Sequence, residues 1–449
     1  MGRLFGTDGV RGKAGEYPLD PATVRRLGAA LARALREGEG TVRFLAGRDT
    51  RESGGWIERE LAFGIRSQRG ILSSAGVIPT PAIAYLTPRM GYTAGVVISA
   101  SHNPFEDNGI KVFSGAGAKF TEALEQRVEE IVADGSWAVP DGDAGAVEEI
   151  DYRSAYVGHL LEILPPALRR QEMRVVIDCA NGATTTVAPR VFAELELETR
   201  CIGCSPDGRN INLGCGSTAP EGLAATVVSG QYDLGIAYDG DGDRAILVDA
   251  RGRIVDGDAV MLMCAKQMKA EGRLNGDAIV ATVMSNIGLE IALREGGIGL
   301  VRCQVGDKYV MEEMLRRGLV LGGEQSGHVI FSDYLFTGDG LATSLNVLRT
   351  MAASGRSLAD LASDLTTYPQ VLMNLRVQQK VDLKTIPEVA AVIARVEQRL
   401  DGQGRLLVRY SGTEPLLRVM LEGRDEAEIR TLGQEIIDAV REHVGTAVS

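Results

Sequence analysis

Two short segments carry residues that could do chemistry together. In the first, Gly95-Val96-Val97-Ile98-Ser99 reads as a β-strand and runs into Ala100-Ser101-His102-Asn103-Pro104. This places the Ser101 hydroxyl on a turn at a strand's C-terminal edge, where open α/β sheets bind ligands. Pro104 fixes its own φ and restricts Asn103, so the turn holds Ser101 in one orientation. Taken alone it is an ordinary Asx-Pro turn. His102 beside it makes no triad, because a third member and a G-x-S-x-G elbow are both missing. In the second segment, Asp239-Gly240-Asp241-Gly242-Asp243-Arg244 follows another apolar strand. Alternate aspartates on extended backbone send their carboxylates to one side, and the glycines between them let the chain curl around a hard cation. An EF-hand calcium loop would need Gly in place of Arg244, Glu in place of Ala250 and flanking helices. A solvated acidic turn would leave three carboxylates repelling one another. A divalent metal site is the reading these residues favour.

A hydroxyl able to carry phosphate and a three-carboxylate metal site are complementary halves of a phosphoryl-transfer centre. Arg244 stands where it could neutralise charge on the transferring group. Two further segments supply what such a centre would need around it. Gly322-Gly323-Glu324-Gln325-Ser326-Gly327-His328 alternates a carboxylate, Glu324, with a hydroxyl, Ser326, inside a glycine-framed loop, a pattern suited to adjacent sugar hydroxyls but also found in plain surface turns. Arg409-Tyr410-Ser411-Gly412-Thr413-Glu414-Pro415, with Arg418 beyond, offers backbone N–H groups, two hydroxyls and two guanidiniums to a phosphate; alone it is a strand-to-strand turn with solvated arginines.

The elements that must position these loops alternate along the chain. Arg43–Ala46, Gly95–Ser99, Val175–Cys179, Leu234–Tyr238, Ala278–Val283 and Leu319–Leu321 read as strands, with amphipathic helices over Pro21–Arg36, Thr121–Ala133, Arg153–Leu164, Asp258–Ala270 and Gly340–Ala353. This is the rhythm of α/β domains with largely parallel sheets. Polar breaks near Asp134–Ala146, Ala250–Asp258 and Thr366–Gln370 divide it into four segments, 1–150, 151–253, 254–367 and 368–449. In the last, strand, helix, two strands and a closing helix follow one another, an α+β order. No fixed-period repeat is visible, although the first three segments could share a topology without sharing sequence.

With 449 residues the chain exceeds one core. Its 45% hydrophobic and 24% charged residues are those of an ordinary globular protein, and 55 glycines mark many tight turns. The formal net charge of −12 argues against a nucleic-acid partner, so an anionic ligand needs a local basic pocket. No apolar run approaches the roughly 18 residues of a membrane span, and Met1–Gly6 contains neither an apolar h-region nor a myristoylation signal; a cytoplasmic protein is expected. Six cysteines are too few for a disulfide scaffold in a chain this long, and the single C-x-x-C of Cys201 and Cys204 reads as reduced thiols.

From Phe5 to Arg418 the chain resembles the α-D-phosphohexomutase superfamily in all four of its motif blocks. Phe5-Gly6-Thr7-Asp8-Gly9-Val10-Arg11-Gly12, Ile98 to Pro104, Asp178-Cys179-Ala180-Asn181-Gly182-Ala183, Cys215-Gly216-Ser217-Thr218 and Gly323 to His328 are similar to its bacterial glucosamine-phosphate branch. The resemblance implies a four-domain, heart-shaped α/β architecture, with three related α/β domains and a C-terminal α+β domain. It implies interconversion of glucosamine 6-phosphate and glucosamine 1-phosphate, towards UDP-N-acetylglucosamine and cell-wall synthesis. Ser101 would be the phosphoserine, and its phosphate with Asp239, Asp241 and Asp243 would hold one Mg²⁺ per chain. Glucosamine 1,6-bisphosphate would be intermediate and primer. Glu324 and Ser326 would hold sugar hydroxyls, and Arg409, Ser411, Gly412, Thr413 and Arg418 the non-reacting phosphate. Arg11, His102 and Lys111 would reach the reacting centre, Lys111 as general acid/base if Arg11 and Mg²⁺ lower its pKa. Asp307 and Lys308 would contact substrate beside Arg244; lysine where relatives often carry arginine loses the bidentate fork. The implied partner is a small sugar phosphate, with monomer and homodimer equally open.

Overall fold

The same four-stranded arrangement forms three times along the chain. The computed structural model describes residues 4–6, 8–168, 172–400, 402–411 and 415–444. In the first sheet Arg43–Arg48, Ile71–Val77 and Ala94–Ile98 run parallel and Asp107–Ser114 returns antiparallel beside Ala94–Ile98. In the second, Arg174–Asp178, Glu198–Ile202 and Leu234–Tyr238 are parallel and Ala245–Asp249 returns. In the third, Ala278–Thr282, Gly299–Cys303 and Leu321–Gly323 are parallel and Val329–Phe331 returns. The spatial order is second strand, first, third, fourth in every case, with short extra strands at the edges of the first two sheets. Ala94–Ile98 and Leu234–Tyr238 are buried along their whole length, as strands covered by helices on both faces must be.

This repetition positions the chemistry. The turn from the third parallel strand to the antiparallel return carries Ser101 in the first sheet, Asp239, Asp241 and Asp243 in the second, and Glu324 and Ser326 in the third. All three sheets fall in one compact unit, residues 4–284 and 297–364. A second unit comprises 285–296 and 365–444. There Gln370–Arg376, Leu416–Glu422 and Arg405–Tyr410 form an antiparallel sheet under helices Pro387–Leu400 and Glu426–His443. The short helix Ile287–Glu295 joins this unit through Glu422, a fully buried carboxylate that accepts from the Ile287 N–H at 3.1 Å and pairs with Arg405 at 2.9 Å.

One helix start yields a test of the electrostatics. Asp339 caps Gly340–Ser354 by accepting from the Ala342 N–H at 2.9 Å, and it also accepts from the Tyr156 hydroxyl at 2.7 Å. Burial pushes its carboxyl up from 3.8 to about 6, against these hydrogen bonds. Between those values the native protein binds a proton that the unfolded chain does not, so stability falls as pH rises through the window and is level above it. Other carboxylates titrate in the same window, so we expect the decline, about 3 kcal/mol, as the Asp339 part of the pH dependence of urea unfolding. Asp339→Asn, which keeps an acceptor for the cap, should flatten it; an unchanged decline in that variant would refute the assignment.

Candidate active site

Ser101 occupies the left-handed region at φ +53, a conformation that costs a side-chain-bearing residue about 1–2 kcal/mol. The surroundings enforce it. Ser99 Oγ accepts from the Ser101 N–H at 2.9 Å while donating to Asp49. The Arg51 guanidinium donates to the carbonyls of Ser101, Asn103 and Pro104, and Asn212 Nδ2 donates to those of Ser101 and Asn103. With its carbonyls tied back, the turn presents the Ser101 hydroxyl to the acidic loop, where it donates to Asp239 Oδ2 at 2.5 Å. A Cβ on Gly240 would lie 2.5 Å from the Ser101 carbonyl oxygen, so only glycine lets the two loops meet this closely. His102 Nδ1 sits 3.3 Å from Ser101 Oγ. Burial, then Arg244 and Arg11, push its pKa down, leaving a neutral imidazole.

Asp239, Asp241 and Asp243 are buried and each offers a carboxylate oxygen within 4.8 Å of the others. Burial, together with Asp243 and Asp241, holds Asp239 far above the usual carboxylate range. Asp241 behaves oppositely. Burial raises it, but the Lys111 ammonium at 2.9 Å and the Thr80 hydroxyl at 2.6 Å outweigh that and hold it ionised. The second oxygens of Asp241 and Asp243, both Oδ1, are buried with no hydrogen-bond partner among the described residues. Such orphaned acceptors are costly unless something else satisfies them, and three carboxylates at this spacing fit a hard divalent cation.

Lys111 departs from the expected state. Burial acts to lower its pKa, but Asp241, Asp8 and Asp243, at 2.9, 3.0 and 3.4 Å, hold it well above its ordinary value, and Arg11 is too weak a counterweight. In this arrangement the three carboxylates favour its ammonium form. Arg11 itself pairs with Asp8.

A cleft of about 1040 Å³ joins the three loops. His102 and Asp243 line it from the first two, Glu324 and Ser326 from the third, with Arg11, Arg244 and Asp307 between them. Glu324 is steadied by the Gly306 N–H at 3.2 Å. Lys308 does not share this wall: its ammonium turns to Glu125 at 3.4 Å. Asp307 and Lys308 are successive residues opening the helix Asp307–Arg317, and adjacent helical positions do not face the same way. The expectation of a substrate contact from Lys308 therefore gives way to an ion pair. In the second unit Arg409 and Arg418 are direct cross-strand partners, so both guanidiniums leave one face of the sheet. Ser411 N–H closes the turn onto Leu416 O at 2.8 Å. Gly412 and Thr413 lie outside the described residues.

Two residues with no role expected from their motifs, Asp8 and His328, line the cleft, and Lys119 joins Asp8 through an ion pair. His328 is buried at 2% exposure, 3.5 Å from the Asp307 carboxylate. Asp8 and Lys119 complete a chain of charge, Asp307 to Lys119 to Asp8 to Lys111. Lys119 is 111 and 188 residues from its two partners, so no local spacing announces the chain.

Comparison with known proteins follows the same division of the chain. Residues 2–138, 154–252 and 256–368 match the three alpha/beta/alpha domains of phosphoglucomutase/phosphomannomutase, and 372–439 match its C-terminal domain. The phosphoglucosamine mutase of Koribacter versatilis is 47% identical over 99% of this chain and 97% of its own length. That of Syntrophotalea carbinolica is 47% identical over 99% and 98%. In structure, a phosphoglucomutase/phosphomannomutase family protein from Burkholderia thailandensis has the same fold, with a TM-score of 0.80 at 24% identity over 98% of this chain and 97% of that one.

Proposed function

The chain belongs to the phosphoglucomutase/phosphomannomutase family, and on that premise we propose that it interconverts glucosamine 6-phosphate and glucosamine 1-phosphate through phosphorylated Ser101. The observation that carries this reading is the Ser101 hydroxyl held against Asp239 of a buried carboxylate triad whose Asp243, with His102, lines the cleft that Glu324 and Ser326 also line. The name borne by relatives 47% identical over nearly their whole length supports the amino-sugar substrate.

The phosphoryl group passes from Ser101 Oγ to O1 of the 6-phosphate: the P–Oγ bond breaks, the P–O1 bond forms and the O1 proton leaves. The resulting glucosamine 1,6-bisphosphate turns over and returns its 6-phosphoryl group to Ser101, while O6 regains a proton. Asp239, Asp241 and Asp243, with an oxygen of the Ser101 phosphate, would hold Mg²⁺, which when bound neutralises charge on the transferring group. Lys111 and Arg244 add positive charge from the protein, and positioning with charge neutralisation is most of what phosphoryl transfer requires. His102, its imidazole neutral and 3.3 Å from Ser101 Oγ, is a proton acceptor beside the reacting group that is not itself one of the metal-holding carboxylates. Glu324 and Ser326 grip the sugar hydroxyls in either orientation. Arg409 and Arg418 give a phosphate two guanidiniums, with Ser411, Gly412 and Thr413 supplying further donors.

The test is kcat/KM for glucosamine 6-phosphate, glucose 6-phosphate and mannose 6-phosphate, with Mg²⁺ and the matching 1,6-bisphosphate as primer. We expect a preference of about 10²-fold or more for the amino sugar. Preference for a neutral hexose phosphate would overturn the substrate assignment and leave the phosphoserine chemistry standing.

A further inference from the structure

The helix Asp307–Arg317 begins between two groups of side chains. On one side is the sugar loop: the Gly306 N–H donates to Glu324 at 3.2 Å, and His328 Nε2 lies 3.5 Å from the Asp307 carboxylate. On the other side are two residues of the first segment. Lys119 pairs with Asp307 while donating to Asp8 Oδ1 at 2.5 Å, and Lys308 donates to Glu125 at 3.4 Å. The two ion pairs have opposite sense, since the first segment offers a cation to residue 307 and an anion to residue 308. The four side chains are only 10–14% exposed, so these pairs differ from solvated surface pairs: a charge left here without its partner is costly. Their local setting is specific too. The chain after strand Asp107–Ser114 folds back along it, with Ser114 N–H donating to Ala118 O at 2.7 Å and Phe120 N–H to Val112 O at 3.2 Å. Gly117 makes that reversal at φ +76, where a Cβ would lie 2.2 Å from the Ala84 carbonyl oxygen. Lys119 is thereby held beside the strand that carries Lys111, and Glu125 follows in the first turn of Glu122–Ala133.

We propose that these two ion pairs form a clasp that sets the distance between the Ser101 turn and the sugar loop, with Lys119, Glu125 and Lys308 as positioning residues. None of the three lines the cleft, so what they do for a substrate they do through Gly306 and Asp307, which line it. The clasp also reaches the acidic loop: the second oxygen of Asp8 takes the Lys111 ammonium at 3.0 Å, and Lys111 holds Asp241 at 2.9 Å. The proposal rests on the mutase reading. A 1,6-bisphosphate that turns over between Ser101 and Glu324 is retained while both walls keep their separation, and a displacement of about 1 Å is enough to lose much of that hold. Loosening the clasp therefore lets the bisphosphate leave before it returns its phosphoryl group to Ser101, and the enzyme must be supplied with more of it.

The experiment uses the full chain with Glu125→Lys, Lys308→Glu and the two together, and measures turnover of glucosamine 6-phosphate across a range of added glucosamine 1,6-bisphosphate. Each single change sets like charges against each other, and the double change restores a pair of reversed sense. We expect each single variant to raise the bisphosphate concentration for half-maximal turnover on the order of 10-fold, and the double variant to return to within about threefold of the unsubstituted protein. A smaller folded fraction would lower kcat and leave that concentration where it was, so the readout separates positioning from folding. Where a reversed charge prevents folding, Glu125→Gln and Lys119→Met each remove one charge and should shift the same concentration in the same direction. Single variants with an unchanged bisphosphate requirement would overturn the proposal, as would a double variant no better than either single one. If the unsubstituted protein turns over no glucosamine 6-phosphate, the mutase reading fails by itself. Melting temperatures then decide the clasp: the double change must recover what each single change loses, and additive losses would refute it.

Discussion

Replacing Ser101 with alanine is expected to lower mutase turnover by about 10⁵-fold or more, with the fold retained. Loss of the nucleophile is not compensated nearby. The Ser99 hydroxyl already donates to Asp49 and accepts from the Ser101 N–H, so it cannot carry phosphate without dismantling the turn. His102 is close enough to move a proton, but it lies to one side of the hydroxyl that faces Asp239. Adding 1,6-bisphosphate should not rescue the variant, because priming acts by phosphorylating the missing oxygen. The backbone should tolerate the change: alanine suffers the same strain at φ +53 as serine, and the Arg51 and Asn212 bonds run to backbone carbonyls. The measurements are turnover with saturating bisphosphate, intact mass for the phosphate, and melting temperature for the fold. A variant that melts normally yet retains substantial turnover would sink the phosphoserine mechanism.

Why some of this was legible in the sequence follows from how local each signal is. Ser101, the three aspartates and Glu324 each sit in a turn of a few residues directly after a strand, so residue type, spacing and the preceding apolar run identify them together. The helices were readable for the same reason: Pro21–Ala34 opens on an Asp20 cap with proline in the first turn and ends within two residues of its expected position. Strand Ile71–Val77 was not, because Ser73 and Ser74 interrupt its apolar run. Both serines are buried, and Ser74 donates to buried Glu58 at 2.6 Å. The threefold topology was open as a possibility but invisible as a pattern, since hydrogen-bond order is shared where sequence is not. Charge states were the hardest part. Lys111 and Asp241 are 130 residues apart, and a lysine's neighbours, not its position in a motif, decide whether it is a base or a fixed ammonium.

The acidic loop gives the second large effect, and its sign distinguishes a metal site from an acidic turn. Asp239→Asn should reduce turnover by about 10³-fold while raising the melting temperature of the metal-free protein. In the absence of a cation the Asp239 carboxylate is buried beside Asp243 and Asp241, which disfavour its ionised form, so a neutral isostere relieves repulsion. Asp241→Asn removes a carboxylate from the same loop but should destabilise. Its charge holds the Lys111 ammonium, itself 2% exposed, and breaking one partner from a buried pair costs about 3–5 kcal/mol. Both substitutions should abolish the rise in melting temperature that Mg²⁺ gives the unsubstituted protein, a rise that follows from binding to the native state alone. Melting curves with chelator and with Mg²⁺, at neutral pH, read all of these effects in one experiment. If Mg²⁺ leaves the unsubstituted protein unmoved, or if Asp239→Asn destabilises the chelated form, the three carboxylates are not a cation site and Ser101 must transfer its phosphoryl group without one.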